Sequence, residues 1–88
     1  MVNPKVAAKL IEKIIKKDGK HTMEAKENLA SVNRLMNKPA RAAELYAEVT
    51  LNEGIQPENH FYYGQMLRTL GKYEEAQEQF LKYDSLVQ

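Results

Sequence analysis

The chain has 88 residues, room for one small domain with a thin core. It is 43% hydrophobic and 28% charged, which excludes a disordered tail, and its 13 Lys and Arg nearly balance 12 Asp and Glu, which leaves no long-range pull toward nucleic acid or an anionic membrane. Cysteine is absent, so a disulfide scaffold, a thiolate metal site and a cysteine nucleophile are excluded. Apolar runs stop at three or four residues and the first residues carry no apolar h-region, so neither membrane insertion nor a secretion signal is expected.

Apolar residues recur at three- and four-residue steps, which predicts helices. The first, over 4–17, carries Val6, Ala7, Leu10, Ile11, Ile14 and Ile15, with lysines at 5, 9, 13, 16 and 17 on the other face. Asn3 can cap it, Pro4 suits its first turn, and Asp18-Gly19 stops it. The second, over 23–36, follows Thr22 as N-cap and holds Ala25, Leu29, Ala30, Val32, Leu35 and Met36. The third, over 39–51, holds Ala42, Ala43, Leu45, Tyr46 and Val49. The fourth, over 57–70, holds Phe61, Tyr62, Tyr63, Met66, Leu67 and Leu70, and the fifth, over 73–86, Tyr73, Ala76, Phe80 and Tyr83. Short loops between them suit antiparallel neighbours.

The chain also resembles itself. Asn37 and Gly71, Ala42 and Ala76, Tyr46 and Phe80, Ala30 and Gly64, and Arg34 and Arg68 are each 34 residues apart. The first helix matches the third at one residue more, through Ala7, Ile11 and Ile14. The second and fourth helices are therefore one type, A, and the first, third and fifth another, B. Ala30 and Gly64, facing Ala42 and Ala76, let A and B approach closely. Tyr46 and Phe80 fill the space between pairs, with Ile11 in the same role on the first helix. Asn37 and Gly71 allow a left-handed turn between A and B.

The run Tyr63-Gly64-Gln65-Met66-Leu67, then Leu70-Gly71-Lys72-Tyr73-Glu74-Glu75-Ala76, then Phe80, resembles the tetratricopeptide repeat family. The sequence departs from that pattern at Lys26 and His60, where the family has Trp, and at Pro39, where it has the turn Tyr. The resemblance implies an all-α fold: antiparallel helix-turn-helix repeats stacked as a short right-handed α-solenoid of about five helices. One domain, 1–88, would hold a half repeat (3–20) and repeats over 23–56 and 57–88. It implies a concave groove on the A helices lined by Glu27, Ser31, Arg34, Phe61, Gln65 and Arg68. The family's carboxylate clamp for chaperone tails would need Lys and Asn where Glu27 and Ser31 stand, so that clamp is expected to be absent. More narrowly, His60-Phe61-Tyr62-Tyr63-Gly64-Gln65 leading into Gly71-Lys72-Tyr73-Glu74-Glu75-Ala76 is similar to helical repeats of bacterial envelope proteins that carry a β-propeller and an OmpA-like domain and are linked to type IX secretion. That likeness implies a periplasmic or outer-membrane-associated setting; without it the cytoplasm is expected.

Chemistry-bearing motifs are few. His21 and His60, the two histidines, have no second ligand at metal spacing, so they read as solvated or structural. Ser31 and Ser85 lie in no nucleophile turn, and Glu74, Glu75 and Glu78 read as the favoured acidic start of a helix. No catalytic residue, metal or cofactor is expected, and the lysine-rich first helix reads as a solvated face. Repeat spacing assigns Tyr63, Tyr73 and Phe80 to the core and leaves Phe61 and Tyr62 less well explained.

The expected function is protein–protein interaction, with a peptide or partner helix in the groove. The alternative is a spacer that positions larger domains. Within the groove, Arg34 and Arg68 could hold carboxylates of an acidic or C-terminal peptide across Phe61 and Gln65, or could be surface residues paired loosely with a nearby Glu. The uncovered terminal helices predict that the chain is a fragment or self-associates.

Overall fold

The structure, a computed structural model, describes residues 3–17 and 22–88. The expectations at Asp18, Gly19 and His21, at Lys20, and for the side chains of Ile14, Ile15, Lys16, Lys17 and Thr22 lie outside the described residues. Five helices follow in chain order: α1 (Pro4–Lys17), α2 (Thr22–Leu35), α3 (Pro39–Val49), α4 (Glu58–Thr69) and α5 (Tyr73–Val87). Among the described residues there is no strand, so the fold is all-α.

Local chemistry explains the helix limits. The Asn3 side-chain Oδ1 accepts the Lys5 amide at 2.9 Å and its carbonyl accepts Ala7 at 3.0 Å, which caps α1 as expected. Pro39 opens α3, where a missing N–H costs nothing. α3 ends at Val49 rather than at 51, because the Thr50 hydroxyl folds back onto the Tyr46 carbonyl at 2.7 Å and the Asn52 amide group caps the Val49 carbonyl at 3.2 Å.

The two A-to-B turns share one backbone. Asn37 stands at φ 59° and Gly71 at φ 81°. The Asn37 amide donates to the Arg34 carbonyl at 3.1 Å and Lys38 to Asn33 at 2.9 Å. One period on, Gly71 donates to Arg68 at 3.0 Å and Lys72 to Leu67 at 2.8 Å. Each is a Schellman closure of the preceding helix. Lys38 and Lys72 then accept the amides of Ala42 and Ala76, both at 3.0 Å, which starts the next helix.

Each helix packs mainly on its neighbours in sequence, α1 on α2, α2 on α3, α3 on α4 and α4 on α5. The central core is Leu29 and Ala30 from α2 with Ala42, Leu45 and Tyr46 from α3, joined by Ala8 from α1. Ile11, Val32, Met36, Tyr62, Tyr63 and Met66 close around it. Gly64 marks a close approach in the second pair: a Cβ there would stand 2.7 Å from the Phe80 ring. Among the described residues, buried side-chain polar atoms are satisfied. Asn33 donates to the Leu29 carbonyl at 2.9 Å, and the His60 ring nitrogen Nδ1 lies 2.8 Å from Gln79 Oε1. The structural reading of His60 is met.

Several core expectations are corrected. On α1 the buried small residue is Ala8, with Ala7 half-buried, while Leu10 is 53% exposed. α1 has α2 as its one main neighbour, so among its described apolar residues Val6 and Leu10 stay uncovered. Leu35, at the end of α2, points to solvent. Tyr73, assigned to the core, is 69% exposed: α5 has α4 as its one main neighbour, which leaves most of its circumference uncovered.

Candidate partner-binding face

Arg34, in the last turn of α2, is held on two sides. Its Nε–H donates to the Tyr46 hydroxyl of α3 at 3.1 Å, and its Cζ lies 3.9 Å from the ring centre of Tyr62 on α4. The first contact fixes the plane of the guanidinium; the second sets it over a negative ring face. The four Nη hydrogens remain for other acceptors. Ser31, one turn earlier, brings its Oγ to 3.5 Å from the same Tyr46 hydroxyl. Ser31 and Arg34 thus converge on one phenol.

Arg68, one period on, is set differently. It is exposed, and its Cζ lies 5.8 Å from the ring centre of Phe80. Phe80 has no hydroxyl to accept an Nε–H. Phe61 covers this neighbourhood, with ring centres 5.6 Å from Phe80 and 5.3 Å from Tyr83. It also meets Tyr62 edge-on at 6.1 Å, and Tyr62 reaches Tyr46 at 6.2 Å.

A continuous strip results: Arg34 on Tyr62, Tyr62 on Phe61, Phe61 on Phe80, and Arg68 beside Phe80. Three of the six residues expected in the groove, Arg34, Phe61 and Arg68, take part in it, and Ser31 lies beside it at the Tyr46 hydroxyl. Glu27 and Gln65 are half-buried on the same two helices but join none of these contacts. Arg34 and Arg68 are not loosely paired with glutamates: the ion pairs among the described residues include Lys26 with Glu48 at 2.9 Å and Arg41 with Glu44 at 3.2 Å, and neither groove arginine takes part in one.

Tyr46 and Tyr62, which hold Arg34, are not among the six positions expected in the groove. A signal for Tyr46 was present: a hydroxyl where the matching residue, Phe80, has none. For Tyr62, adjacent to Phe61 and on a separate helix from Arg34, spacing carried no signal.

Away from this strip, a depression of about 430 Å³, open to solvent, runs between α3 and the start of α5, over Ala43, Ala47, Tyr63 and Leu67. Burial raises the Tyr63 phenol above its ordinary pKa of 10.0, and the Glu75 carboxylate adds to the rise. Among the described residues no three His, Asp or Glu side chains gather as a metal site, and no helix is long and apolar enough to cross a membrane. In comparisons with protein families, characterised proteins and solved structures, nothing matches this chain.

Proposed function

We propose that the chain is a non-catalytic protein-interaction module of tetratricopeptide-like repeats, and that it binds an acidic or carboxylate-ended peptide along the strip from Arg34 to Arg68. The observation that carries this reading is the setting of Arg34. Its guanidinium is already immobilised by a phenol and a ring, and no carboxylate neutralises it among the described ion pairs. A pre-oriented guanidinium loses little further freedom when it takes a carboxylate through two parallel N–H bonds. Phe61 and Tyr62 add an apolar surface between the two cations.

The test is a titration of the labelled domain with a short acidic peptide bearing a free carboxyl terminus. The Arg34 Nε–H resonance should shift together with backbone signals of Phe61 and Arg68. Arg68→Ala, at an exposed position, should weaken binding about five- to tenfold without altering the fold. No shift at low salt would favour the spacer. That second reading has an observation of its own: of the three matched groove pairs, only Arg34 and Arg68 are alike, while Glu27 faces Phe61 in the alignment and Ser31 faces Gln65. A repeating ligand surface would be expected to keep more than one.

A further inference from the structure

The two outermost helices carry opposite charge. On α1, Ala8 is buried, Ala7 and Ile11 are half-buried, and Lys5, Val6, Lys9, Leu10, Glu12 and Lys13 are exposed. The described side chains thus offer three cations against one anion, beside two bare aliphatic residues. On α5, Ala76 is buried and Gln79, Phe80 and Tyr83 are half-buried. Its exposed residues include Glu74, Glu75, Glu78 and Asp84 against the single cation Lys82, with Leu81 59% exposed among them. α1 packs chiefly on α2 and α5 on α4, so the two lie at opposite ends of the series of helices.

We propose that these faces are partners, and that the α1 face of one copy docks on the α5 face of a second copy. Charge selects this pairing. A symmetric contact of α5 with α5 would set four acids against four acids, and α1 with α1 would set lysines against lysines. Only the unlike pairing brings attraction to both flanks, with Val6 and Leu10 meeting Leu81 in the middle. Such a contact is heterologous: each copy keeps one free end of each kind, so association continues beyond a dimer into a ring or a filament. The composition permits this without a large net charge, since the chain is +1 overall and its charge is separated rather than absent. The contact uses none of the residues of the Arg34 strip, which reaches α5 only at the half-buried Phe80.

Sedimentation equilibrium on the whole chain tests it. At about 0.01 M salt, where charges act over about 30 Å, the weight-average mass should climb with protein concentration above the 10.1 kDa of one copy. At about 1 M salt, with a range of about 3 Å, it should fall back. Lys9→Glu with Lys13→Glu reverses one face. Glu78→Lys with Asp84→Lys reverses the other and spares the acidic first turn of α5. Each double variant alone should associate more than about tenfold more weakly, and an equimolar mixture of the two should recover association, because the reversed faces match each other. Circular dichroism on each variant separates lost contact from lost fold, and peptide titration of the same variants reports on the Arg34 strip separately. A wild-type chain that stays monomeric at low salt overturns the proposal. So does association that neither variant weakens, or that the mixture fails to restore.

Discussion

Leu45 and Gln79 are one period apart, on α3 and α5. The first is 4% exposed in the central core; the second is half-buried and spends its side chain on His60. The same contrast runs through the two helix pairs. Tyr46 and Val49 are fully buried, while their matches Phe80 and Tyr83 keep part of their surface even with Phe61 laid over them. Ala40 and Ala43, beside the groove that α4 and α5 border, become Glu74 and Gln77 on the open side of α5. Yet the Schellman bonds and the first bonds of the next helix are the same in the two turns. Backbone repetition is set locally, by residues that close one helix and start the next. Burial is set by how many neighbours a helix has: α3 has two, α5 has one.

Truncating matched residues should expose that difference most sharply. Tyr46→Ala removes a fully buried ring and leaves Arg34 without its acceptor, and should cost about 3–5 kcal/mol. That is comparable to the whole stability of many small domains. Phe80→Ala removes a half-buried ring and should cost about 1–3 kcal/mol. Urea unfolding of the two variants measures both. Equal losses would mean that α5 is as well packed as α3, and the comparison would break.

A gentler substitution sharpens the same contrast at the A helices. Gly64→Ala adds a Cβ that meets the Phe80 ring at 2.7, 2.9 and 3.0 Å, an overpacking cost of about 1–3 kcal/mol. The gain in helix propensity, about 1 kcal/mol, offsets part of it. Replacing Phe80 by Leu in the same chain should recover much of the remainder, and a double-mutant cycle reads the coupling. Additive effects would show that the Phe80 ring has room to swing aside. Ala30, at the matching place beside Tyr46, already holds a Cβ without exposure.

Much of this was legible in the sequence because it is local or periodic. The five helices, the Asn3 cap, the left-handed Asn37 and Gly71, and the close approach at Gly64 each depend on residues within a turn or at a fixed offset. Tyr73 was misplaced because the offset rule assumes every repeat has a neighbour on both sides; α5 has one main neighbour, α4. Arg34 and Arg68 were matched correctly as positions and wrongly as environments. The hydroxyl that orients Arg34 comes from α3 and the ring beneath it from α4, so its setting needs three helices packed together, and no spacing encodes that.

The turn residues give a smaller effect of known sign. Gly71→Ala forces a Cβ onto φ 81° and should cost about 1–2 kcal/mol, although open space surrounds it. Asn37→Gly at φ 59° should change stability by only a few tenths of a kcal/mol, since Asn already tolerates this region at modest cost and Gly at less. Thermal unfolding of the pair checks whether the turns are as interchangeable as their hydrogen bonds. A large loss at Asn37 would show that its side chain contributes something its twin does not.

The smallest effect concerns Tyr63, whose match one period earlier is the fully buried, non-ionising Leu29. Burial first, and the Glu75 carboxylate second, hold the Tyr63 proton in the folded state above the ordinary value of 10.0. The unfolded chain releases that proton at about the ordinary value, so above it the folded state binds more protons than the unfolded one. Stability supplied by the neutral phenol is therefore complete below pH 10.0 and declines as the pH rises from there through the folded pKa. Other tyrosines titrate in the same range, so the measurement is a difference: urea midpoints of wild type and Tyr63→Phe, followed from about one unit below the ordinary tyrosine pKa to about one unit above. The phenylalanine variant should lose less stability across that interval. Glu75→Gln should flatten the wild-type slope slightly, because it removes the lesser cause and leaves burial in place. Parallel curves for wild type and Tyr63→Phe would mean that the phenol ionises as freely folded as unfolded, and that the outer pair is open enough there for water to replace what Leu29 excludes in the inner one.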